Sequence, residues 1–282
     1  MSEIAFNPLT RHFRQPALYI ELTSKGKFWK EGSLIPTETD KYPILPMTAK
    51  DEIILRTPDA LINGTSVVQV IQSCCPNIKN AWDMPSVDVD TTLIAIRLAS
   101  YGEGMTVTAK CPKCNEEHDY DIDLMKVLAS VKMPDYSQTI TTNDGLIITF
   151  KPLSYAQVSK SGNIQFEEEK LIQALSNPDL DETIRTVEYE KHVAKMIQMN
   201  NDNVTNCTFS ITADGIEVTD PAFIAEYYQN AESTVLRKIQ EKIKEFADIV
   251  SIKPVATLCT ACDTEFNLNV EFDYSHFFAK GF

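Results

Sequence analysis

Glycine is scarce here, with nine residues in 282. That scarcity excludes folds that press a glycine-rich backbone against phosphate, because such loops need several glycines at fixed spacing. No dinucleotide fingerprint, GxSxG or HExxH segment occurs. Basic residues are also in deficit, 26 against 40 acidic, for a net charge of −14. A chain of that sign repels nucleic-acid backbones instead of releasing their counterions. Long hydrophobic runs are absent as well; nothing approaches the roughly 20 apolar residues of a membrane span. Met1-Ser2-Glu3-Ile4 lacks a basic region ahead of an apolar stretch, so no secretory signal is expected. His12, His192 and His276 have no nucleophile or acid at motif spacing. No catalytic constellation emerges, and a non-enzymatic chain is expected.

Cysteine, by contrast, is plentiful, with seven residues. An odd number without an export signal points to a reducing compartment and to metal binding over disulfides. Cys111-Pro-Lys-Cys114 and Cys259-Thr-Ala-Cys262 each follow a β-rich run and precede a polar turn and an alternating strand. Two residues between cysteines let one tight turn supply two vertices of a tetrahedron, and two such turns complete a structural zinc site. The expected ligands are therefore Cys111, Cys114, Cys259 and Cys262. With all four positions filled by thiolate, no open coordination position for hydrolysis is expected. A redox role is disfavoured, since thioredoxin-like motifs open a helix and these precede strands. His118 is a weaker alternative ligand, better read as exposed on its hairpin. Cys74 and Cys75 end an apolar run and read as buried free thiols.

The pattern along the chain is α+β. Residues 1–47, with prolines at 8, 16, 36, 43 and 46, read as an extended arm that must pack on another surface. Residues 48–104 read as helical, with candidate helices after Thr48, from Asp59, from Gly64, and over Asp88–Ser100 with Gly102 as its cap. Residues 105–129 with 255–275 form a zinc-ribbon-like pair of hairpins. Between the hairpins, 130–254 reads as an inserted helix-rich α+β module. It has a strand after Gly145, helices over 154–176, 180–199 and 220–250, and a hairpin turning at Asp214-Gly215. Residues 276–282 form an aromatic tail. Phe277, Phe278 and Phe282, with Phe28 and Trp29 in the arm, are candidate partner-binding residues. A buried aromatic contributes about 2 kcal/mol, and packing on the chain's own body is the competing use of all five.

Several short segments in fixed order carry a resemblance. They are Leu22-Thr-Ser-Lys-Gly-Lys-Phe-Trp-Lys-Glu-Gly-Ser33, Leu45-Pro-Met-Thr-Ala-Lys-Asp-Glu52, Arg56-Thr-Pro-Asp-Ala-Leu-Ile-Asn-Gly-Thr-Ser66, Val70-Ile-Gln-Ser-Cys74, Ala95-Ile-Arg-Leu-Ala-Ser-Tyr-Gly102 and Cys111-Pro-Lys-Cys114. Over residues 18–124 the chain resembles the baseplate hub subunit and hub-assembly proteins of T-even-like contractile-tailed bacteriophages. The C-terminal knuckle and tail are similar too, and the inserted module less so. The resemblance implies a structural virion protein of the tail baseplate, made in the bacterial host cytoplasm. Its implied partners are other baseplate and hub proteins, with tape-measure or tail-tube components as further candidates, in a hetero-oligomeric assembly. A hub-assembly chaperone absent from the mature virion is the alternative. A zinc-ribbon nucleic-acid-binding module is a remote third, against which the acidic surroundings weigh.

Overall fold

The computed structural model describes residues 7–57, 63–176, 181–269 and 277–278. It is α+β, as the sequence pattern implies. Its apolar residues gather into two cores.

The first core is built around one helix. Helix α3 (Ser86–Tyr101) buries side chains all round, from Val87 through Leu98 except half-buried Asp90, as a helix without a polar face must when it runs through a core. Around it lie β1 (Leu18–Glu21), β2 (Lys41–Ile44), α2 (Thr65–Cys74) and α4 (Leu124–Ser130). Helix α2 buries Val67, Val70, Ile71 and Cys74, the i, i+3, i+4, i+7 stripe of its sequence. It starts at Gly64, whose φ is 75°. A Cβ there would also meet Ser159 Oγ at 2.7 Å, so both conformation and space require glycine. Helix α1 (Ala49–Leu55) opens with a reciprocal capping box between Thr48 and Asp51. The helix expected from Asp59 lies outside the described residues.

The arm packs on the first core. Strands β1 and β2 pair antiparallel, and Ile20, Leu22, Tyr42 and Ile44 enter the first core. Polar groups on α3 hold the segment that follows β1. Asp88, fully buried, accepts hydrogen bonds from the Ser24 backbone N–H (2.6 Å), the Ser24 hydroxyl (2.5 Å) and Trp29 Nε1 (3.0 Å). Burial outweighs these donors and pushes the Asp88 carboxyl up to about 6. Thr91 meets Thr23 hydroxyl to hydroxyl at 2.7 Å.

The second core belongs to the inserted module. A four-stranded sheet runs β5 (Ile140–Thr141), β6 (Ile147–Phe150), β7 (Thr208–Ala213), β8 (Ile216–Val218), antiparallel throughout. Asp214 and Gly215 both take positive φ at the β7–β8 turn, as a tight two-residue hairpin requires. Between β6 and β7 the chain forms a helical hairpin, α5 (Tyr155–Leu175) and α6 (Glu182–Cys207). Helix α6 runs eight residues past the expected end at 199. Val204 and Cys207 are buried there, and that packing carries the helix through an asparagine-rich stretch of low propensity. The single helix expected over 220–250 is two, α7 (Pro221–Asn230) and α8 (Ser233–Val250).

Candidate metal centre

Each CxxC sits at the tip of a hairpin. The first joins β3 (Gly104–Lys110) to β4 (Glu117–Asp123), the second β9 (Val255–Leu258) to β10 (Glu265–Leu268). The two tips are built alike. Cys111 N–H donates to the Glu116 carbonyl at 2.9 Å and Asn115 N–H to the Cys111 carbonyl at 2.9 Å. In the second knuckle Cys259 N–H donates to the Thr264 carbonyl at 2.9 Å and Asp263 N–H to the Cys259 carbonyl at 3.0 Å. Asn115 and Asp263 both take positive φ, 61° and 52°. Asn and Asp tolerate the left-handed region better than other side chains do. That choice of residue, one place after each pair, is a signal the motif reading passed over.

The tips meet. Cys111 and Cys262 lie 3.7 Å apart, Cys114 and Cys259 3.6 Å apart, sulfur to sulfur. All four Sγ atoms fall within 4.8 Å of one another. A disulfide needs about 2.05 Å, so none of these contacts is one. A zinc ion with bonds of about 2.3 Å spaces its sulfurs at about 3.8 Å, which matches both contacts. The donor set thus fits a tetrahedral thiolate-bound ion. His118 is not among the clustered ligands; its Nε2 lies 3.5 Å from the Glu116 carboxylate on the hairpin.

The electrostatics fit as well. The Thr264 hydroxyl and backbone hold the Cys262 thiol down to about 6. The Cys114 backbone N–H, followed by that of Lys113, draws Cys111 below its ordinary value. Cys114 goes the other way: the Glu116 backbone lowers it, but burial and the three neighbouring thiols raise it to about 12. Four thiolates this close repel one another, and a divalent cation removes that obstacle to ionising all four.

The knuckles are continuous with the first core. Tyr120 of β4 packs edge-on against Phe266 of β10, centroids 5.5 Å apart, and Leu268 is buried in the same cluster. The cluster therefore brings residues 255–268 against residues 104–123.

The aromatic candidates fall out differently. Phe277 and Phe278 lie in the first core, 1% and 6% exposed, with rings 4.9 Å apart and edge-on. Buried Arg97 of α3 donates from Nη1 to the Phe277 carbonyl, and its guanidinium lies 5.2 Å from the Phe277 ring. In this structure these two rings take the other use that the sequence left open, packing on the chain's own body. The apolar surface is matched at home, and a buried guanidinium needs the acceptor. Phe28 is partly buried and meets Tyr136 edge-on at 5.3 Å, while Trp29 bonds Asp88. Both still border an open groove with Pro152 and half-exposed Phe209. Phe282 lies outside the described residues.

No helix among the described residues is long and apolar enough to cross a membrane. A family model described as T4 bacteriophage base plate protein matches residues 21–279. No curated protein and no solved structure matches the chain.

Proposed function

The chain belongs to the T4 bacteriophage base plate protein family, and from that premise we propose that it is a zinc-stapled structural subunit of the baseplate hub. It works by shape and docking, without catalysis. The observation that carries the reading is the four-cysteine cluster inside a chain matched by that family over nearly its whole length.

The mechanism is mechanical. Cys111, Cys114, Cys259 and Cys262 would hold a zinc ion, which supplies a rigid, redox-inert cross-link between two hairpins. Their own turns preset the sulfurs, since each knuckle fixes its pair through the same two backbone hydrogen bonds. Tyr120 and Phe266 pack the hairpins together. Arg97 then holds Phe277 and Phe278 on α3. Neighbouring hub and baseplate proteins would dock on the groove that Phe28 and Trp29 border with Pro152 and Phe209.

The test is quantitative mass spectrometry of purified mature virions of the phage encoding the chain. A small fixed ratio to other baseplate proteins is the expected result. Abundance in infected-cell lysate with absence from virions would instead make the protein an assembly chaperone.

A further inference from the structure

The N-terminal half of α3 carries a feature with no part in the zinc site or the tail anchor. A cavity of about 260 Å³ lies between the two cores. Its walls are apolar, with Val87, Tyr136, Phe150, Leu153 and Phe246 among them. Into this lining comes one carboxylate, Asp90. Among the described residues no hydrogen bond or ion pair reaches the Asp90 side chain. Burial pushes its carboxyl up to about 6. The contrast with Asp88, two residues earlier and held by three donors, is plain.

A carboxylate half-buried against apolar walls without a partner is a costly arrangement, and a cation relieves it. An anion would be repelled, and a neutral apolar ligand would only deepen the desolvation. The volume falls below the about 300–1,000 Å³ typical of small-molecule pockets, so one side chain fits better than a cofactor. A basic side chain answers both features, with its methylene stem on the walls and its charged head at the carboxylate. Among the lining residues Lys151 is the other charged group, and no ion pair joins it to Asp90. Cys207, also in the wall, is held neutral by burial at about 12.

We propose that this cavity receives the charged end of one lysine or arginine side chain projected by a neighbouring protein. The baseplate reading supplies only the identity of that neighbour as another tail subunit; the chemistry of the cavity stands apart from it. The chain's acidity, −14 overall, favours a basic partner in the same sense.

The test uses the full-length, zinc-loaded protein with n-butylammonium and n-propylguanidinium as probes and n-butanol as the neutral control. Binding is followed at neutral pH through the methyl resonances of Val87 and Leu153. Saturable binding of a cationic probe is expected, at least about tenfold tighter than butanol and at least about tenfold weaker in Asp90→Asn. Lys151→Met removes the internal competitor and should bind as well or better. Asp90→Asn should melt at or above the wild-type temperature, since it removes a half-buried charge that has no partner. Equal binding of butanol, no effect of Asp90→Asn, loss of binding in Lys151→Met alone, or a marked fall in the Asp90→Asn melting temperature would each overturn the proposal. None of these readouts depends on the virion result.

Discussion

Cysteine and aspartate carry most of the argument at the scale of single residues. Cys111→Ser or Cys259→Ser leaves three thiolates and should lose the ion, so zinc per chain falls toward zero by elemental analysis and partner binding falls with it. A variant that loses zinc yet still binds hub proteins with full affinity would contradict the staple. Asp88→Ala strands the Ser24 N–H, the Ser24 hydroxyl and Trp29 Nε1 without an acceptor. Leaving buried donors unmatched costs about 1–3 kcal/mol each, so the loss should be about 3 kcal/mol or more by urea unfolding, with red-shifted tryptophan fluorescence. The four-cysteine cluster was legible because a CxxC is local: two residues of spacing place two sulfurs side by side regardless of the rest of the chain. Asp88 was not legible, since nothing in the sequence ties it to Ser24, 64 residues away. The fate of Phe277 and Phe278 was equally hidden. A terminal aromatic pair reads the same whether Arg97 waits for it inside or a partner waits outside.

At the scale of elements, local signals again did well and distant pairing did not. Thr48 ahead of α1 and Gly102 after α3 mark true helix ends, because caps act within one turn. The sheet of the inserted module could not be read, since Thr149 of β6 pairs with Ser210 of β7 across the whole helical hairpin. The break between α7 and α8 carries neither glycine nor proline. The hairpin itself makes a pH prediction. Between α5 and α6, Glu168 lies 2.8 Å from Lys195 Nζ and 2.7 Å from His192 Nδ1. Lys195 first, then His192, hold its carboxyl below the usual carboxylate range. A depressed folded-state value means that stability is present above the unfolded value of about 4.3 and is lost as pH falls through the folded one. Glu168→Gln should therefore lower the melting temperature at neutral pH. The gap to wild type should close as the pH drops below about 4, followed by circular dichroism at 222 nm. A gap that stays constant through the acid range would assign Glu168 a packing role alone.

For the whole molecule, a metal held by the knuckles would bear on the two cores differently. The first core takes in Tyr120, Leu268, Phe277 and Phe278, with Phe266 packed against it, so it draws on both segments that the knuckles bring together. The second, around Phe150, Ile211 and Phe246, contains no knuckle residue. Chelation should thus loosen the first core before the second, because metal binding energy is folding energy where the site is structural. Hydrogen exchange after chelation should rise in β3, β4, β9 and β10 well ahead of β6 and β7. Simultaneous loss would mean that the cores unfold as one. The measurement that tests the central claim most directly is native mass spectrometry of the full-length protein purified under reducing conditions. The account expects one zinc ion per chain, lost on Cys259→Ser. A metal-free chain that is fully folded, or one carrying disulfides among Cys111, Cys114, Cys259 and Cys262, would contradict it.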